Sequence, residues 1–111
     1  MEQAPLFDHT PLTLPEPVLH ESIQEQFDRF HAANPQVYGN LVWMARHYAS
    51  VGATRLSMNM LFEQMRGKYL VVTRGEKYLL NNNYRSRYVR LIEDQEPDLR
   101  GLFETRTLKA A

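Results

Sequence analysis

NPQVYGNLVWMARHYAS, Asn34 to Ser50, is the stretch on which the fold turns. Asparagine is a favoured residue just before a helix, and the proline after it suits the first helical position, where no backbone N–H is needed and φ is already set. Val37, Tyr38, Leu41, Val42, Ala45 and Tyr48 then recur at helical spacing, so one face is apolar and demands a partner. Gly52 is a reasonable stop. Trp43 lies off that stripe; the core is its expected place, with exposure at a contact surface the alternative.

Outward from this helix the same reasoning yields others. Upstream, Pro17 suits a helix start, and Leu19, Ile23, Phe27 and Phe30 share one face while Glu21, Glu25 and Asp28 occupy the rest. Residues 1–16 are acidic, proline-rich and aperiodic, which predicts an extended or disordered arm. Downstream, Ser57 caps a helix whose apolar positions are Met58, Leu61, Phe62 and Met65. Tyr69 and Val72 extend that stripe, yet Tyr69 to Thr73 also has strand composition. In the strand reading, Arg74 to Glu76 turns the chain and Lys77 to Leu80 returns it as a short β-hairpin; in the helical reading a plain loop follows. Asn81 to Asn83 open a further helix with Tyr84, Tyr88, Leu91 and Ile92 on one side. Pro97 starts a last short helix burying Leu99, Leu102 and Phe103, and 107–111 is a frayed tail. The expectation is a mainly α single domain over 17–106. Its core is helix-turn-helix or winged-helix-like and trihelical, with an added N-terminal helix and, in the strand reading, the hairpin.

Length and composition fit one core: 111 residues, 43% hydrophobic. Without cysteine there is no disulfide framework and no thiolate metal site, which fits the cytosol. The acidic, proline-broken N-terminus is not a signal peptide, and no apolar run approaches the roughly 18 residues of a membrane helix, so a soluble chain with no membrane partner is expected.

Net charge is zero, but it is unevenly distributed. Residues 1–34 carry −5, residues 35–90 carry +7 and residues 91–111 carry −2. The basic middle holds Arg46, Arg55, Arg66, Lys68, Arg74, Lys77, Arg85, Arg87 and Arg90 against Glu63 and Glu76. Its densest part is the helix start NNNYRSRYVR, Asn81 to Arg90. Arginine pairs with guanine and asparagine with adenine in the major groove, and the first turns of a recognition helix approach base edges. Asn82, Asn83, Arg85, Arg87 and Arg90 are therefore the expected DNA-reading residues, with Arg55, Arg66, Lys68, Arg74 and Lys77 as phosphate contacts. The plain alternative is a cap, a turn and a solvated face. Against a simple helix-turn-helix, Met65 to Asn81 is far longer than its tight turn. The acidic helix from Pro17 either shields the basic surface or forms a homodimer contact.

Catalytic patterns are missing. His9, His20, His31 and His47 include no helical zinc spacing, and there is no glycine-rich phosphate loop or serine elbow. No catalytic residue, metal or cofactor is expected.

LFEQMR (61–66), LNNNYRSRYVRLI (80–92) and EPDLRGLFETR (96–106) together resemble a family of small proteins of bacteriophages and prophage-like elements. The resemblance implies a setting in the cytoplasm of a bacterial host. It points to a DNA-binding transcription regulator or recombination accessory factor, or to an inhibitor that contacts a host protein through acidic or aromatic surface.

Overall fold

Ser22-Ile23-Gln24-Glu25 forms a reciprocal capping box. Ser22 Oγ accepts from the Glu25 N–H at 3.1 Å, and a Glu25 carboxylate oxygen accepts from the Ser22 N–H at 2.9 Å. The computed structural model, which describes residues 7–72 and 80–103, accordingly begins its first helix, α1, at Ile23 and runs it to Ala33. The helix does not begin at Pro17 as the proline signal predicts. His20 takes a left-handed φ of 64°, within a turn closed by the Glu21 N–H on the Val18 carbonyl at 3.3 Å. That turn cannot be helical, and it leaves Leu19, read as a buried position, 83% exposed. Phe27 and Phe30 are buried as the periodicity predicts.

Pro35–Ser50 form α2. Val37, Leu41, Val42 and Ala45 are buried, Tyr38 and Tyr48 half-buried, and the helix stops where Gly52 adopts φ +108°. Ser57 caps α3, Met58–Val72, by accepting from the Met60 N–H at 3.3 Å. The strand reading of Tyr69 to Thr73 fails at 69–72, because the stripe of Met58, Leu61, Phe62 and Met65 carries the helix onward. The remainder of that hairpin, 73–79, lies outside the described residues.

One 3₁₀ turn, Asn82–Tyr84, leads into α4, Arg85–Gln95. A second, Pro97–Leu99, follows. The chain then returns to the α2–α3 link, where Leu56 and Phe103 form a parallel bridge and the Leu56 N–H reaches the Leu102 carbonyl at 2.7 Å. The fold is mainly helical, with four α-helices and no strand among the described residues.

Its centre is aromatic. Tyr88 of α4 is fully buried and meets Phe27 of α1 edge-on at 4.8 Å and Phe62 of α3 at 6.0 Å. Tyr84, one turn earlier, packs on Phe27 and Phe30. Four residues apart, the two tyrosines fix α4 by its first turns against α1 and α3.

Buried asparagines tie the N-terminal arm to these helices. Residues 7–16 have no regular secondary structure, yet Phe7 is buried and the arm is hydrogen-bonded at intervals. Asn40 accepts from the Asp8 N–H at 2.8 Å and donates to the Asp8 carbonyl at 2.9 Å. Asn34 does the same for Thr13, at 2.6 and 2.7 Å, and also donates to the Phe30 carbonyl at 3.0 Å. Each amide thus pairs with a peptide unit as a neighbouring strand would. Gln36 donates to the Thr10 and Pro11 carbonyls, and Arg29 to the Glu16 carbonyl.

Two consequences are measurable. Asn34→Ala leaves the Thr13 peptide unpaired and removes a buried amide, so it costs about 1–3 kcal/mol in urea unfolding and speeds amide exchange at Thr13; an unchanged midpoint would show the clamp to be energetically neutral. His31 stacks on Phe27 and meets Tyr38 and Tyr88 edge-on, and its Nδ1 has no hydrogen-bond partner among the described residues. Burial lowers its pKa below the ordinary 6.5, partly opposed by Asp28. The unfolded chain therefore binds the proton more readily. Stability is complete above about pH 6.5 and falls as pH drops below it. Thermal unfolding should show that decline between pH 7.5 and 5, and His31→Phe should flatten it.

Candidate nucleic-acid interface

Asn81, Asn82 and Asn83 take three different roles at the start of α4. Asn81 caps the 3₁₀ turn, its side-chain oxygen accepting from the Asn83 N–H at 2.8 Å. Asn82 offers its side-chain oxygen to Arg66. Asn83 is exposed, and its side chain makes no hydrogen bond to a described residue. The sequence reading of one cap among the three is thus accounted for by Asn81.

Beyond this turn the core stripe of Tyr84, Tyr88, Val89 and Ile92 leaves Asn83, Arg87 and Arg90 on the outer side of the helix. Asn83, Arg87 and Arg90 follow at i, i+4 and i+7, one surface line along α4. Arg87 donates to the Gln24 side chain of α1 at 3.0 Å and to the Asn83 carbonyl at 3.3 Å. Arg85 leans the other way, onto the Asn59 side chain of α3 and the Asn82 carbonyl. Arg90 is exposed and makes no hydrogen bond to a described residue. Every described partner of these arginines is a neutral amide or carbonyl.

Arg29, Arg46 and Arg66 differ, each holding a carboxylate. Arg29 pairs with Glu21 at 2.6 Å. Arg46 forks onto Asp98 through two bonds of 3.0 Å and reaches Glu96 at 2.7 Å. Tyr38 donates to the same Glu96 at 2.8 Å, and burial together with that carboxylate pushes the Tyr38 pKa upward. Asp98, held by Arg46, is shifted below the ordinary carboxylate value. Two of the acidic residues on which a protein-binding surface at 93–98 would rely are thereby engaged in joining α2 to the chain after α4.

Arg66 is a structural cation. Its side chain is 12% accessible and binds Glu63 at 2.7 Å, the Leu80 carbonyl at 2.6 Å and Asn82. It follows Phe62 by four residues, so it lies at the edge of the buried stripe, with its guanidinium 5.9 Å from the Phe62 ring centre. Lys68, two residues on, faces elsewhere on α3 and sets its ammonium 5.1 Å over the Phe7 ring. Arg55 is exposed in the α2–α3 link, and no contact joins it to the α4 start. Arg74 and Lys77 lie outside the described residues. The arrangement sets Asn82, Asn83, Arg85, Arg87 and Arg90 on the 3₁₀ turn and the first turns of α4 and joins Arg66 to them through its bond to Asn82, while Lys68 sits over Phe7 instead.

Gln24 and Asn59, which flank the cluster, were not apparent as site residues. Both are exposed amides on helix surfaces, and only the packing of α1 and α3 beside α4 gives them a role. Trp43 proves half-buried, stacked on His47 at 5.8 Å with the rings 12° from parallel.

No group of three or more histidine, aspartate or glutamate side chains is placed to hold a metal ion among the described residues. No helix among them is long and apolar enough to cross a membrane. No family model matches the chain, and no match to it was found among curated proteins or solved structures.

Arg66→Ala should cost about 1.5–3 kcal/mol, the scale of hydrogen bonds to a charged group. Its chemical denaturation midpoint should fall well below that of an Arg90→Ala control, whose side chain is exposed and bonds to no described residue.

Proposed function

We propose that the chain is a non-enzymatic DNA-binding protein that docks through the start of α4, with Asn82, Asn83, Arg85, Arg87 and Arg90 at the contact. One observation carries the reading: none of Arg85, Arg87 and Arg90 forms an ion pair with a described carboxylate, although the chain holds as many acids as lysines and arginines. Neutral amides position the guanidinium groups without cancelling their charge, which leaves them available to phosphate or to a base edge. The helices α2, α3 and α4 would serve as a helix-turn-helix-like core with α4 as the reading helix, joined to α3 by a connection longer than the simple motif uses.

Helix α1 borders this surface. Gln24, which accepts from Arg87, donates in turn to Asp28 at 2.9 Å, so an acidic residue is one amide removed from the cluster. Glu25 and Asp28 therefore weaken an approaching polyanion's attraction and tune affinity downward. In this reading the protein works on DNA in a bacterial cytoplasm as a regulator or accessory factor of a mobile element, the setting its resemblance implies.

Binding to a DNA duplex across a salt series tests the proposal. Affinity should fall steeply with salt, and the Arg85→Ala, Arg87→Ala, Arg90→Ala triple variant should lose at least about tenfold at low salt, with a slope reduced by up to about three contacts. Absence of binding by the wild type at low salt overturns it.

A further inference from the structure

Between α2 and α3, on a surface formed by neither Arg85 nor Arg87, lies an open groove of about 460 Å³, within the range of small-ligand sites. Its lining comprises aromatic, amide and basic side chains together with Met44 and Gly67, and among the described residues includes no acid. The indole of Trp43 lies along one wall, stacked on His47. Tyr48 and Gln64 meet across the floor, the Gln64 amide donating to the Tyr48 hydroxyl at 2.7 Å. Lys68 stands at the edge over Phe7 and forms no ion pair with a described carboxylate.

Gly67 supplies an independent observation. It sits inside α3 with helical backbone, where glycine is a poor choice, and a Cβ added there would meet nothing within 4 Å. Neither its backbone conformation nor packing against a described residue calls for a glycine. Its effect is to keep the α3 wall of the groove low. The three chemical features correspond to the three parts of one ligand class: a flat ring system for the Trp43 face, hydrogen-bonding edges for Gln64 and Tyr48, and an anion for Lys68.

We propose that this groove binds a free nucleoside 5′-monophosphate, its base stacked on Trp43, its edge read by the Gln64 amide and its phosphate held by Lys68. The charge of the groove favours an anion over a neutral or cationic aromatic ligand. The site is separate from the α4 surface, and it stands whether or not duplex DNA binds there.

Trp43 is the only tryptophan of the chain, so its fluorescence reports on the groove directly. Titration of the full-length protein with AMP should give saturable quenching. Adenosine should bind at least severalfold more weakly, and inorganic phosphate alone should not quench. Gly67→Leu, which places a better helix former where the Cβ meets nothing, should remain folded by circular dichroism and bind AMP at least about tenfold more weakly, the scale of one lost stacking contact. Lys68→Ala should weaken AMP while leaving adenosine unchanged. No saturable quenching at millimolar AMP overturns the proposal, as does equal AMP affinity in the folded Gly67→Leu protein. Quenching by a short single-stranded oligonucleotide but not by AMP overturns it in favour of an unpaired base of a strand. Because neither readout involves Arg85, Arg87 or Arg90, loss of one activity leaves the other standing.

Discussion

Asn34 is fully buried with every polar atom engaged, and the remainder of the structure is arranged around it. Its backbone N–H closes the end of α1 on the Phe30 carbonyl, and its own carbonyl accepts from Val37 to begin α2. Its side chain holds the Thr13 peptide by both donor and acceptor. A polar side chain removed from water destabilises a protein unless its bonds are replaced. Here the replacements come from three segments at once, so the corner between α1 and α2 and the course of the arm are one constraint. Pro35, with no N–H to satisfy, completes the corner without adding a further demand.

The second organising feature is the division of the cations. Arg46 meets two carboxylates and joins segments distant in sequence, bringing α2 to Glu96 and Asp98, whereas Arg66 and Arg29 pair with acids close by in the chain. Where a guanidinium has amides and carbonyls as neighbours, as at the start of α4, no described carboxylate forms an ion pair with it.

The helical class and the buried faces of α2, α3 and α4 were legible because apolar residues at spacings of three and four leave little choice of conformation. The start of α1 was misread because Pro17 and the capping box at Ser22 and Glu25 are both helix-start signals. The reciprocal pair of bonds at Ser22 prevailed over a proline that only presets φ. Asn34 was legible as a residue preceding a helix but not as a clamp, since nothing in sequence spacing links it to Thr13, twenty-one positions away. The cluster Asn82 to Arg90 was visible as composition. That Arg66 borders the buried stripe was inferable from its place four residues after Phe62, whereas the Trp43, Gln64 and Gly67 groove exists only through the approach of two helices.

The arm's course also bears on the order in which the molecule assembles. An extended segment whose clamping amides are Asn34 at the α1–α2 corner and Asn40 in α2 lacks those partners until that corner exists. The first residues of the described chain are in this sense the last to be fixed. In a chain emerging from the ribosome, residues 7–16 would wait, unpaired, for Asn34 and Asn40 to follow them out.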